Sequence, residues 1–354
     1  MDFAYRFPVV KGLQAGREYY IAMIPLKKIS KLFPLDGEYV SPEHRAQRKL
    51  NEARIPTIRQ YILDNRKSYV FSALAASIDG EFKFCASEFS DVGVLEISMD
   101  AKILINDGQH RKAAILEAIA EDDSLLNETI PVVFFEDQGL ARSQQIFTDL
   151  NKHAVKTSNS ITELYDSRDP LAIVTRNVVA SIDFLNSFTD KEKDILGKYS
   201  SNLFTLSTFY NANKRIIRTS EIRPEVKEFL KKYWSILCQN ILPWNDLRNR
   251  EISKVDLREN YIVTQSVIIQ VLGRLGNVFF TNRRLKMEFI LKKMREINWR
   301  RDCEDWFLRT IRTNGRMINN EEAIILTCNV IKHHLNISLD EFEQSKENAF
   351  LNRK

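Results

Sequence analysis

The sequence predicts an α+β protein, with a mixed α/β N-terminal domain over residues 1–155 and an all-helical domain over residues 156–354. Three observations carry this. Strand-like apolar runs are confined to the first 155 residues, and apolar residues recur at helical spacing from Leu140 onward. Proline and glycine are scarce, 9 and 11 of 354 residues, which disfavours a loop-rich all-β chain. A chain of this length also favours two cores over one.

The elements follow in order. Residues 19–24 (Tyr-Tyr-Ile-Ala-Met-Ile) read as a short strand. Over residues 42–66, Leu50, Ile55, Ile58, Tyr61 and Ile62 fall at helical spacing, with Pro56 early in the second of two helices. Residues 69–71 predict a strand, and residues 74–84 a hairpin turning at Asp79-Gly80. Residues 94–97, 102–105 and 129–135 predict further strands. Beyond these, Ile146, Phe147 and Leu150 share a helix face, residues 224–239 and 261–280 repeat the spacing, and Pro170, Pro224 and Pro243 mark helix boundaries. The polar tail, residues 341–354, is expected to form a terminal helix that frays or becomes disordered.

Composition narrows the function classes. Cys85, Cys238, Cys303 and Cys328 lie far apart with no CxxC pair, which argues against zinc and iron-sulfur sites and for reduced thiols. No uncharged apolar run approaches the roughly 20 residues that span a membrane, and the N-terminus has no signal-peptide pattern, so the expectation is a cytoplasmic protein without membrane contact. A net charge of +5 permits nucleic-acid contact without demanding it.

The chemistry concentrates where the apolar run Ile103-Leu104-Ile105 stops at Asn106-Asp107-Gly108 and helix-forming residues begin at once. A strand-to-helix turn exposes free backbone N–H groups to an anion at the positive end of the helix dipole. Gly108 allows close approach, Arg111 offers a charge-assisted fork, and His110 a hydrogen bond or a proton. The plainer alternative makes Asp107 a helix cap and Arg111 a solvated first-turn residue. Small Ala113 and Ala114, with the stripe Ile115, Ala118 and Ile119, suit a helix packed closely on a sheet.

Asp107-Gly108-Gln109-His110-Arg111 spells the motif that names the DGQHR-domain proteins, and residues 145–156 resemble that family's second signature, a helix ending in F-x-x-(I/L)-N before a polar connection. In length, N-terminal region and helical C-terminal half the chain resembles the DndB family, encoded beside the phosphorothioation enzymes of bacterial DNA sulfur modification, a defence-related system. It is similar at a distance to the ParB and sulfiredoxin superfamily, whose G-x-x-R turn binds nucleotide phosphates. The resemblance implies a ParB-like N-terminal domain and phosphate contacts from Gly108, Gln109, His110 and Arg111. It implies ATP with Mg2+, the cation held by acids such as Asp107; Asp107, His110 and Arg111 are then the catalytic candidates. The second motif brings Asp149, Asn151 and His153 as neighbours, although Asn151 suits a C-cap equally well. No G-x-x-x-x-G-K-[ST] loop is present. Arg45, Arg48, Arg54 and Arg59 are candidates for lining the same pocket.

Basic residues cluster at Lys214, Arg215, Arg218 and Arg223, and again at Arg283, Arg284, Lys286, Lys292, Lys293, Arg295, Arg300 and Arg301 with Trp299 and Trp306 interleaved. Both clusters suit a phosphate backbone. The alternative is a solvated face balanced by Glu288, Glu296, Asp302, Glu304 and Asp305. Residues 314–334 carry a weak helix-turn-helix signal that core packing of Ile324, Ile325, Cys328 and Ile331 explains equally. The reading is a transcription regulator binding double-stranded DNA beside other sulfur-modification proteins, with a homo-oligomer left open. The rivals are an ATP phosphohydrolase serving that machinery and a non-catalytic scaffold.

Overall fold

The computed structural model describes residues 3–33, 51–137, 140–152, 157–197, 200–219 and 221–353. The chain divides into two compact units, Met1–Val155 and Lys156–Lys354.

In the first unit β1 (Ala4–Gln14) and β2 (Arg17–Pro25) form a hairpin. Its turn residues Ala15 and Gly16 both take positive φ, 49° and 75°, which matches the right-handed twist of the strands. The chain continues through α1 (Ile29–Leu32), α2 (Ile55–Asp64), β3 (Leu74–Asp79), β4 (Phe82–Ala86), β5 (Val92–Ser98) and β6 (Lys102–Asp107). Then come α3 (Gln109–Glu121), β7 (Thr129–Glu136) and α4 (Leu140–Lys152). The seven strands make one mixed sheet, β4-β5-β1-β2-β7-β3-β6, parallel only between β3 and β7. Alternate residues of the strands, including Phe7, Val9, Tyr20, Ile24, Leu95, Ile97, Val132 and Phe134, fill the core with Ile115 and Ala118 of α3.

The hairpin expected over residues 74–84 does not form. β3 pairs with β6 and β7, while β4 pairs with β5, so β4 is one edge of the sheet and β3 lies next to the opposite edge strand, β6. Only Gly80 and Glu81 separate them along the chain, so the sheet must curl back on itself. β3 and β4 are two halves of one long strand running antiparallel to β5 and β6, and the ribbon bends at Gly80. Its φ is 133°, and a Cβ there would lie 2.9 Å from the Cα of Ala101 across the ribbon. Asp79-Gly80 is therefore a corner, and the chain reverses at residues 87–91 instead.

Residues 69–71 are not a strand either. The rings of Tyr69 and Phe71 pack on each other and Phe71 on Tyr61, whose hydroxyl accepts the Val70 N–H at 2.9 Å. Their aromatic content serves packing rather than a ladder.

The second unit holds α5 (Asn159–Tyr165), α6 (Pro170–Ala180), α7 (Asp183–Phe188), the two-residue pair β8 (Thr189–Asp190) and β9 (Phe204–Thr205), and α8 (Leu206–Ile217). It continues with α9 (Pro224–Asn240), α10 (Leu242–Arg248), α11 (Lys254–Asn260), α12 (Ser266–Thr281), α13 (Met287–Leu291), α14 (Glu321–His334) and α15 (Glu341–Leu351). Pro170, Pro224 and Pro243 open helices, where a missing N–H costs nothing. The helix expected over residues 261–280 begins only at Ser266. α12 lies against α8 and α14. A Cβ on Gly273 would meet the Ala212 carbonyl oxygen at 2.7 Å, so this close approach requires glycine.

Nine of the 14 residues of α14 are buried, as core packing of this segment leads one to expect. Two further expectations are corrected here. Trp299 and Trp306 are 2% and 0% exposed and stack on each other, so neither is interleaved with surface cations. The terminal helix forms as expected but is pinned rather than frayed: α15 has a full capping box between Asp340 and Glu343, and Phe350 is buried beneath the Arg309 guanidinium. Glu343 is 2% exposed and accepts from Lys332 at 2.7 and 2.6 Å and from Arg274 at 3.0 Å. A tail anchored by a buried ion pair leaves no apolar periodicity to read.

Candidate functional site

The Asp107-to-Arg111 turn joins β6 to α3 as the sequence leads one to expect. Gly108 takes φ 103°, a left-handed conformation, and α3 has no side-chain cap. Behind it Asn106, 1% exposed, donates to Ser77 on β3 at 3.0 Å, tying the end of β6 into the sheet.

The side chains of the turn are largely engaged. Arg111 Nη1 donates to the Ser72 carbonyl at 2.7 Å, the Ser72 hydroxyl at 2.6 Å and the Ala73 carbonyl at 2.9 Å. Its Nη2 bonds the Asp107 carboxylate at 2.6 Å, and only 17% of the side chain is exposed. The guanidinium thus fastens the segment before β3 to the turn. A Cβ on Gly108 would lie 2.3 Å from a Leu74 methyl and 3.3 Å from Arg111 Nη2. His110 accepts the Asn51 N–H on Nε2 at 3.0 Å, which fixes a neutral ring with its proton on Nδ1. Its pKa is held below the usual imidazole value by burial and by Arg54, against the opposing pull of Asp107.

Of the other pocket candidates, Arg54 borders His110, whereas Arg59 pairs with Glu121 at the far end of α3, at 2.7 Å. Arg45, Arg48 and His153 lie outside the described residues. Asn151 lies in the last turn of α4, which packs against β6, and its side chain is likewise outside what is described. Gln109 is half-buried in the first turn of α3. Asp107 is the one carboxylate of the turn and is committed to Arg111, and the described residues hold no group of three acids, histidines or cysteines able to take a metal ion. The first backbone N–H groups of α3 are left without a side-chain acceptor among the described residues. Sequence reasoning missed Asn51, Ser72 and Ala73, which contribute mainly backbone atoms and leave no residue-type signal.

In the second unit the two basic clusters differ. Arg215 is held at both ends, by Gln270 at 2.9 Å and by Glu321 at 2.9 and 2.7 Å. Lys214 and Arg218 are exposed, form no ion pair among the described residues, and line an open cleft of about 1220 Å³. Arg283, Arg284, Lys286 and Lys292 are exposed and Lys293 half-exposed, also without ion pairs among the described residues. Their neighbour Glu288 is taken by Lys232. Arg295 instead bonds Asn240 at 2.8 Å, and Arg300 pairs with Asp302.

An acidic group that sequence reasoning missed borders the cleft. Asp169 caps α6 and accepts the Tyr210 hydroxyl at 2.6 Å. Asp194 accepts from the Asn159 and Ser160 N–H groups at 2.7 and 2.8 Å, which outweigh its burial and hold its pKa low. Glu163 goes the other way, pushed up to about 7 by burial and then by Asp169, Asp166 and Asp194. A carboxyl raised in the folded state stabilises below its ordinary pKa, and that stability is lost as pH rises through about 7. Glu163→Gln is therefore expected to leave stability unchanged at pH 5 and to raise it by about 1 kcal/mol at pH 8, a figure discounted for solvent screening. Thermal melts of both proteins at the two pH values check this; a variant equally stable or weaker at pH 8 contradicts it.

No helix of the described residues is long and apolar enough to cross a membrane. No curated protein and no solved structure matches the chain. A family model described as DndB, DNA-sulfur modification-associated, matches residues 7–338, a span that holds the DGQHR turn, α4 and the helical unit as far as α14. The turn, the helical half and that match together make this chain a member of the DndB family, associated with DNA sulfur modification.

Proposed function

We propose that the chain is a DNA-binding regulator of the sulfur-modification system, holding duplex DNA on the helical unit. The observation that carries this is the run of cations over residues 283–293, exposed or half-exposed and free of ion pairs among the described residues, in a family associated with DNA modification. Unpaired lysines and arginines displace counterions from the phosphates they meet. Partner proteins of the same system, and self-association, belong to this reading as further contacts.

Duplex affinity is expected to fall steeply as salt rises. The triple charge reversal Arg283→Glu, Lys292→Glu and Lys293→Glu should flatten the slope of log affinity against log salt by about 3, near one per lost contact. Fluorescence anisotropy from low to high salt reads both. Binding that is absent at low salt, or a slope the variant leaves unchanged, removes the reading.

A second reading, ATP binding and hydrolysis at the DGQHR turn, is favoured by the uncapped N-terminus of α3. Under it Arg111 must release Ser72, Ala73 and Asp107 to reach a phosphate. ATP turnover by the purified protein that DNA does not alter would favour this second reading.

A further inference from the structure

The cleft of the helical unit has an organisation the duplex reading does not use. α8 forms its floor, presenting Tyr210, Asn211, Lys214 and, at its C-cap, Arg218. The N-terminal end of α14 contributes Asn320 and Glu321, and α12 contributes Gln270. Several polar groups here are spent on one another: Arg215 on Gln270 and Glu321, Gln270 on the Thr208 carbonyl at 3.0 Å, and the Asn320 side-chain Oδ1 on the Ala323 N–H. The cations left over are Lys214 and Arg218, about 6 Å apart along the helix axis.

Two properties point to a ligand. Arg218 holds φ 53°, a left-handed conformation that favours glycine or asparagine at a helix end, and it carries a long cation into the cleft instead. The cleft is also polarised. Its cationic end at Lys214 and Arg218 lies up to about 12 Å along α8 from the Tyr210–Asp169 pair, where a carboxylate and a phenol oxygen accept hydrogen bonds. The ligand that fits has an anion at one end and hydroxyl or amine donors at the other.

We propose that this cleft binds a nucleoside phosphate, free or as one nucleotide of an unpaired strand, with its phosphate on Lys214 and Arg218 and its sugar or base donors towards Asp169 and Asn211. The site is distinct from the DGQHR turn and independent of the cations at residues 283–293. The amides and hydroxyls of the wall suit base and sugar edges, and a bound phosphate would be gripped by two cations that form no ion pair among the described residues.

Calorimetric titration of the full chain with AMP and with a short single-stranded oligothymidylate tests this, using wild type, Lys214→Gln, Arg218→Gly and Arg111→Lys. Arg218→Gly relieves the left-handed strain, so its melting temperature should hold or rise while affinity falls at least tenfold; Lys214→Gln should weaken binding similarly. AMP bound and lost in both variants supports a free nucleotide, and oligonucleotide bound without AMP supports a strand. If neither probe binds, or if Arg218→Gly and Lys214→Gln bind like wild type, the proposal is overturned. Loss with Arg111→Lys but not with the cleft variants moves the ligand to the turn and overturns it too. Duplex binding measured on the same proteins keeps the two ideas apart, since it can persist when the cleft proposal has failed.

Discussion

Arg111→Ala is expected to lower the stability of the first unit by about 2–4 kcal/mol. The substitution removes four hydrogen bonds of 2.6 to 2.9 Å and leaves two carbonyl groups and the Asp107 carboxylate without their charged donor. Hydrogen bonds to charged groups contribute more than neutral ones, and 17% side-chain exposure leaves water little room to replace this one. The sequence suggested either a charge-assisted fork for an anion or a solvated first-turn residue, neither of which makes Arg111 a support of the fold. Denaturant unfolding, with hydrogen exchange at β6 and α3, separates the two outcomes. A variant as stable as wild type would mean that the guanidinium is not a strut.

An equally large loss, about 3–5 kcal/mol, is expected for Lys332→Met. Glu343 is 2% exposed and keeps only Arg274 and its own capping contacts when the ammonium is gone. Losing the ammonium removes two of the three short charge-assisted contacts of a carboxylate that water cannot reach, and Arg274 alone must then balance it. Glu343→Leu, which strands both Lys332 and Arg274 and breaks the capping box, should lose at least as much. Thermal melts of the two variants check this, and a Lys332→Met protein that melts like wild type contradicts it. The same result would return α15 to the frayed tail that its polar sequence suggested.

Much of the architecture was legible because it rests on local rules. The strand-to-glycine-to-helix transition at residues 105–109, the prolines that open α6, α9 and α10, and the shift from sheet to helix near residue 140 all express local conformational preference. Long-range pairing was not legible. Asp79-Gly80 breaks a strand wherever it occurs, but whether the chain reverses or turns a corner depends on the partners β5 and β6 supply. The aromatic run at 69–71 satisfies strand and packing patterns alike.

At the candidate site the residue types were visible and their partners were not. The DGQHR letters locate the turn, but Arg111 is occupied by carbonyl groups from residues 72 and 73, and backbone atoms leave no trace in the choice of side chain. Among the cations, Arg215 and Arg218 look alike in sequence. One is closed off by Glu321, 106 residues away, and the other faces the cleft.

The most direct test of the account compares duplex DNA binding by wild type and the Arg283→Glu, Lys292→Glu, Lys293→Glu variant at one low salt concentration, alongside Arg111→Lys. The account predicts that the triple variant loses at least tenfold in affinity while Arg111→Lys, if folded, binds duplex as wild type does. Duplex binding untouched in the triple variant and lost in Arg111→Lys would place the DNA contact at the turn and contradict the assignment to the helical unit.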